Sequence, residues 1–273
     1  MVTASHIEPA SLAIKLFLDL TLAAVVFRCS RKVSVLPKVT PRMTEAGRDT
    51  DADISIRNLL TVYNINQPDK KITFYNTWAK RYEKDLAVIN YQAHVFAAEV
   101  LDPVFPKERD NALVLDVACG TGGVAEQLKK LGFKNFHGID GSEGMLKVAE
   151  SKGLYQSLKK FLIVPGEQLP APSDTYDLVI VVGALSYGLL SLDVLPELLR
   201  VAKPGAFICL STKDEMGREY MQQLLVCMDE LESKGLWIKV VKKKIDHWQK
   251  IVLPTELSSE YISGLVAIYR KSD

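Results

Sequence analysis

The 273-residue sequence contains no CxxC pair and no HExxH helix. Its four cysteines (Cys29, Cys119, Cys209, Cys227) and four histidines (His6, His94, His137, His247) fall at no regular spacing. That scatter excludes a zinc ribbon and a zinc-protease helix and argues against a disulfide framework. No metal is expected, and a reducing compartment, the cytoplasm, is the natural setting. Excess charge is also missing: 34 Lys and Arg against 33 Asp and Glu leave a formal charge of +1, so the overall balance asks for neither nucleic acid nor an acidic membrane as partner. The one long apolar stretch, from Ser11 to Phe27, is interrupted by Lys15 and Asp19 and falls short of the ~20 residues a membrane span needs. Arg28, Arg31 and Lys32 follow it rather than precede it, and Glu8 and Asp19 spoil the acid-poor character of a transit peptide. No repeat and no low-complexity tract is present.

What remains is an ordinary globular composition, 48% hydrophobic and 25% charged, enough to bury one domain's core with an extension to spare. Pro37 to Asp53 holds two prolines, a glycine and several charges without a sustained apolar period, so residues 1–53 read as a poorly ordered extension and linker and 54–273 as the domain. Apolar residues at helical spacing over Ile54–Tyr63 and Thr73–Leu101 (Phe74, Trp78, Tyr82, Leu86, Ile89) predict helices ahead of the sheet, closed by Pro103 and Pro106.

From Ala112 the pattern alternates. Ala112–Val117 is a strand, followed by the glycines Gly120, Gly122 and Gly123 and a helix over Val124–Leu131. Asn135–Ile139 is the second strand, Gly144–Ser151 a helix, and Lys160–Val164 the third strand. Asp177–Val182 is apolar enough to be buried on both faces of a parallel sheet. Leu192–Ala202 is a helix, Lys203-Pro204-Gly205 a turn, and Ala206–Ser211 a fifth strand. Such alternation predicts a doubly wound α/β sheet. After a helix over Arg218–Lys234, Trp237–Ile245 and Ser263–Arg270 read as two strands pairing antiparallel at one edge.

Asp116-Val117-Ala118-Cys119-Gly120-Thr121-Gly122-Gly123 sits where the first strand hands over to a helix, the crevice in which open α/β sheets bind ligands. Glycines there admit ligand atoms to the backbone, and the helix N-terminus offers free N–H groups. Gly120-x-Gly122-x-x-Ala125 with Asp140 also satisfies a loosened dinucleotide fingerprint, which keeps an NAD-dependent oxidoreductase open. Asp116 ahead of the loop, the aromatic-rich helical cover and the hairpin-like tail favour S-adenosylmethionine. A protein that binds this cofactor without turnover and acts through a partner is a third possibility.

The segments FYNTWAKRYEKD (74–85), VLDVACGTGGVAEQL (114–128), HGIDGSEGML (137–146), GLYQSL (153–158), YDLVIVVGALSYG (176–188) and Asp246-His247-Trp248 resemble the class I methyltransferases, and most closely the methyltransferase-like protein 27 family of the Williams-Beuren syndrome chromosome region. The likeness spans about Thr73 to Trp248; the glycine motif marks only the superfamily, and the GLYQ and VGALS stretches are more particular. It implies a Rossmann-like, doubly wound α/β sheet of seven strands, mostly parallel with an antiparallel edge strand, under an N-terminal helical lid. It implies S-adenosyl-L-methionine as cofactor and an enzyme transferring methyl to a small-molecule or protein acceptor.

Carried over residue by residue, the resemblance places Asp116 near the methionyl ammonium, and Gly120 and Gly122 where the loop, with Ala118, admits the methionyl part. Asp140 would accept from both ribose hydroxyls, Gly141 and Met145 would flank the adenine, and Glu167 would lie at its edge. Pro165 departs from relatives that carry an acid there, so backbone groups at Gly166 would substitute. Gly183 and Ala184 would lie where acceptor and sulfonium meet. The loop lacks the Asn/Asp-Pro-Pro-Tyr/Phe pattern of base methyltransferases, which argues against a nucleic-acid acceptor.

Several of these residues also have plainer readings. Tyr75, Trp78 and Tyr82 at helical spacing suit core packing as well as a cofactor lid. Asp140 could simply cap a strand end. Cys119 is expected to fill space in the loop rather than act as a nucleophile. His247 is a general-base candidate that could equally be structural. Lys239, Lys242, Lys243 and Lys244 suit a solvated edge strand.

Overall fold

A computed structural model describes residues 50–65, 67–214, 218–253 and 257–273. The predicted extension therefore lies outside the described residues up to residue 49. At its end, Asp51–Asp53 belong to a helix: Thr50 accepts a hydrogen bond from the Asp53 amide, and the Asp53 carboxylate reaches back to Thr50 in a capping box, which starts α1 three residues before the predicted boundary.

The chain runs α1 (Asp51–Asn64), α2 (Pro68–Trp78), α3 (Tyr82–Val88), α4 (Ala93–Leu101), β1 (Leu113–Val117), α5 (Gly123–Lys130), β2 (Asn135–Asp140), α6 (Glu143–Ser151), β3 (Ser157–Lys160), β4 (Tyr176–Val182), α7 (Val194–Val201), β5 (Ala202–Lys213), α8 (Arg218–Ser233), β6 (Trp237–Val252) and β7 (Leu257–Lys271). The seven strands form one sheet in the order β3-β2-β1-β4-β5-β7-β6. The first five are parallel, and β7 is antiparallel to both β5 and β6. Alternate strand residues feed two cores: Leu115, Val179 and Ile208 pack with Leu198 and Leu224 on one face, and Val114, Leu178 and Cys209 with Ala97 and Leu128 on the other. Strand order reverses between β1 and β4, which opens a crevice at their carboxyl ends.

The helices ahead of the sheet have a smaller core of their own, Leu59, Val62, Trp78 and Ile89. Asp85 knits them together from a fully buried position. Its carboxylate accepts from Ser55 Oγ at 2.8 Å, Asn58 Nδ2 at 2.7 Å and Trp78 Nε1 at 2.6 Å, with Arg81 at 3.3 Å. Stripping partners from such a buried charge costs about 3–5 kcal/mol, so Asp85 ties α1, α2 and α3 to one another.

Three local expectations are corrected. The apolar run 160–164 is not the third strand: β3 pairs Ser157–Lys160 with His137–Asp140, and the chain leaves the sheet where β2 ends, sending Phe161, Leu162 and Ile163 to line a cavity. Lys203-Pro204-Gly205 is not a turn between elements but an irregular stretch inside β5, where the register to β4 shifts between Tyr176 and Leu178. The predicted helical run 73–101 is broken into α2, α3 and α4. Cys119 and Cys209 are buried free thiols. Among the described residues no helix is long and apolar enough to cross a membrane.

Candidate active site

Three adjoining cavities lie between the carboxyl ends of the strands and the helical cover, and Tyr82 and Tyr91 stand in the walls of all three. The first, of about 130 Å³, runs from Gly120 and Asp140 past Gly141 and Met145 to the Phe161–Ile163 segment, roofed by Ile72 and Tyr75. The second, of about 310 Å³, lies over the glycine loop, bounded by Ala118, Gly120 and Thr121 below and Glu83 and His94 above. The third, of about 110 Å³, is enclosed by α1, α2, the loop after β4, the end of β5 and β6. By the measure that one water needs roughly 10–15 Å³, each of these holds several waters or a ligand.

Asp140, at the end of β2, is fixed from both sides. The Gly120 amide donates to one carboxylate oxygen at 2.8 Å and the Ser142 amide to the other at 2.8 Å. Burial raises its pKa, and these two amides oppose the rise. Each oxygen keeps lone pairs for a ligand's hydroxyls. Across the cavity Met145 is buried in the first turn of α6, where Ser142 caps the helix by accepting from the Met145 amide at 3.2 Å.

A polar latch holds the roof down. Asn76 Oδ1, on α2, accepts from Ser142 Oγ at 2.8 Å and from the Gly144 amide at 2.9 Å. Position 144 tolerates no side chain, because a Cβ there would lie 2.5 Å from the Asn76 carbonyl oxygen. The opposite wall is equally tight: Gly183 has φ +72°, and a Cβ would collide with the Tyr91 hydroxyl at 2.0 Å. Gly183 and the Tyr75–Tyr82–Tyr91 group thus form the partition shared by the first and third cavities.

Among the residues expected at the cofactor, Tyr75, Tyr82, Ala118, Gly120, Asp140, Gly141, Met145, Gly183 and Ala184 all line the first cavity. Five expected residues stand elsewhere. Asp116 lines none of the three cavities; it is 1% exposed and its carboxylate accepts from Tyr155 Oη at 2.7 Å, underneath the glycine loop. Burial pushes its pKa to about 7 against the Tyr155 hydrogen bond, with the charge of Asp140 adding to the rise. Gly122 caps α5 and faces the Tyr155 ring rather than a cavity. Trp78 lines the third cavity alone, its indole N–H tied to Asp85. Gly166 and Glu167 are exposed, and Glu167 with Pro165 borders a separate small depression. Phe161–Ile163 line the first cavity in their place.

His247 is also corrected. It is exposed on β6, edge-on to Tyr261, and lines no cavity. A register irregularity between Ile245 and Gln249 turns two consecutive residues, Trp248 and Gln249, inward instead. Tyr91, Asn76, Lys71 and Lys213 were missed. Tyr91 and Lys213 lie outside any motif, whereas Asn76 stands within the 74–85 segment, where its polarity among aromatics was the available signal.

Lys71 and Lys213 belong to the third cavity. Lys71 is 7% exposed and donates to the Gly188 carbonyl at 2.9 Å. Burial, with the charge of Lys213 beside it, lowers its pKa to about 8. Lys213 Nζ sits 4.2 Å from the centre of the Tyr63 ring.

Comparison with known proteins agrees with this geometry. The family model described as a methyltransferase domain matches residues 115–210. Human methyltransferase-like protein 27 is 42% identical over 178 residues, 65% of this chain and 72% of that protein. Demethylmenaquinone methyltransferase of Lysinibacillus sphaericus is 32% identical over 160 residues, 54% of this chain and 64% of the relative. The fold matches a Haloferax volcanii methyltransferase solved with its Trm112 activator, with a TM-score of 0.52 at 16% identity over 73% of this chain and 98% of that one. The chain is a methyltransferase whose family and fold imply S-adenosylmethionine as methyl donor, and it belongs to the class I S-adenosylmethionine-dependent methyltransferases, in the family of methyltransferase-like protein 27.

Proposed function

We propose that the first and second cavities together hold S-adenosylmethionine and that the third holds a small-molecule methyl acceptor. The observation that carries this reading is the shared partition, because it brings the two ligands within reach of each other beneath one roof.

The residues present suit the cofactor. Asp140 offers a fixed, hydrogen-bonded carboxylate to two ribose hydroxyls. Met145, Ile72 and Leu162 offer soft apolar faces to a flat ring. The N-terminus of α5 and the loop amides favour a carboxylate, and Tyr82 and Tyr91 offer π faces to a cation. The cofactor supplies a methyl group on a positive sulfonium; the acceptor's lone pair forms the new bond as the sulfur–carbon pair returns to sulfur. The chain's part is to align and to exclude water. Gly183 and the Tyr91 hydroxyl packed against it stand at the partition where acceptor and sulfonium would meet. Among the described residues the third cavity has neither histidine nor carboxylate in its walls.

An acceptor of small size is supported by the modest volume and by walls drawn from α1, α2 and β6 rather than from an open surface groove. No feature of this site favours a nucleic acid.

Calorimetric titration tests the cofactor half. S-adenosylhomocysteine should bind at micromolar concentration and NADH should not; the reverse would restore the oxidoreductase reading. Partition of a labelled methyl group tests the acceptor half. Label entering the small-molecule fraction of an extract supports the proposal, label confined to protein refutes it, and cofactor binding without any transfer would indicate a non-catalytic binding protein.

A further inference from the structure

We propose that the methyl acceptor is an acid: an anionic small molecule with a flat or apolar body, whose carboxylate or phosphate is anchored by Lys71 and Lys213 while a different atom receives the methyl group. This rests on the assignment of the third cavity to the acceptor.

Two cations in one cavity are unusual when nothing balances them. Among the described residues neither Lys71 nor Lys213 has a carboxylate partner, whereas nine other lysines do. Burying an ammonium without a counter-charge is costly. The Lys71 stem could be replaced by an apolar side chain reaching the same volume. Its single hydrogen bond, to the Gly188 carbonyl, uses one of three donors and leaves two for a ligand. Burial and the charge of Lys213 both lower the Lys71 pKa, and an anion brought between the two lysines would oppose that shift.

The remaining wall sets the rest of the molecule. Tyr63, Tyr187 and Trp248 offer faces for a planar or hydrocarbon body, with Gln249 and Ser186 as the uncharged polar groups. The Gln249 amide is already held by Tyr63 Oη at 3.2 Å, so it stands in a fixed orientation. Since the lysines hold the acid, the nucleophile is the part of the acceptor that reaches Gly183 at the partition. The acid is therefore an anchor and keeps its charge in the product.

The enzyme is incubated with methyl-labelled S-adenosylmethionine and the small-molecule fraction of a cell extract, and the labelled product is passed over an anion exchanger at neutral pH. The product should be retained. Lys71→Met and Lys213→Met should each lower incorporation by about 10-fold or more, as expected for loss of a charge-assisted hydrogen bond, while affinity for S-adenosylhomocysteine stays within about two-fold because neither lysine touches the cofactor cavities. The cofactor titration also reports folding, and the half-buried Lys213 provides a second variant where the buried Lys71 is sensitive. A neutral or cationic product, a methyl ester of the acid included, would overturn the proposal. So would a retained product whose formation neither variant slows, or an absence of labelled small molecules from a protein that binds S-adenosylhomocysteine. Failure to bind S-adenosylhomocysteine would instead overturn the underlying assignment of function.

Discussion

The crevice around Gly120 and the cavity around Lys71 share a wall, yet they are assembled in different ways. The crevice draws on short contiguous stretches, the glycine loop after β1, Asp140–Met145 after β2 and Phe161–Ile163 after β3, each set at a strand's end by the sheet itself. The cavity gathers single residues from Leu59 to Gln249, brought together only when the helical cover and the β6–β7 hairpin dock on the same edge. Chemistry that recurs, such as holding a nucleoside, is met by backbone geometry and a few fixed types; chemistry that distinguishes one enzyme from its relatives is met by side chains that any element can supply.

This contrast can be broken most forcefully from the cofactor side. Asp140→Ala removes the charged acceptor of two hydroxyls and should weaken S-adenosylhomocysteine binding by about 100-fold or more, measured by calorimetry, with the fold retained. Retained affinity would show that the crevice is held by shape alone. Asn76→Ala releases the latch between α2 and α6 and should speed dissociation of S-adenosylhomocysteine by about 10-fold in stopped-flow experiments, since two hydrogen bonds of ordinary strength are lost. An unchanged rate would mean that Asp85 and its partners hold the roof without it.

Asp116 sharpens the comparison through pH. Its folded pKa, about 7, lies above its value in the unfolded chain, so the folded state keeps a proton that the unfolded state gives up. Stability is then greatest below pH ~4 as far as this group is concerned and is lost as pH rises through about 7. Asp116→Asn should flatten that slope in melting temperature between pH 4 and 7, by several degrees over the window; parallel profiles would sink the assignment. The smallest effect belongs to His247→Ala, which should leave turnover within about two-fold because the ring is exposed and lines none of the three cavities.

The sheet and the residues of the crevice were largely legible because each depends on local pattern: an apolar run, a glycine loop, an acid at a strand end. The misreadings came where two physical causes leave one signature. Phe161-Leu162-Ile163 line a cavity, and composition does not separate that from a buried strand. At His247 and Trp248 the reading turned on which of two neighbours faces inward, and the irregularity in β6 decided it against simple alternation. Trp78 was expected over the cofactor because helical spacing gives its stripe but not which cavity lies under it. Lys71 carried no motif at all; its meaning comes from being buried opposite Lys213, a residue 142 positions later on another element.

Helix α2 bears on both ligands at once. Ile72 and Tyr75 roof the crevice, Lys71, Tyr75 and Trp78 face the cavity, and Asn76 pins the helix to α6. A cover with two tenants cannot be lifted for one of them. On the proposed assignment of the two cavities, exchange of spent cofactor and departure of methylated product would be a single opening, and the time α2 stays shut would set how long each pair of reactants is committed to the other.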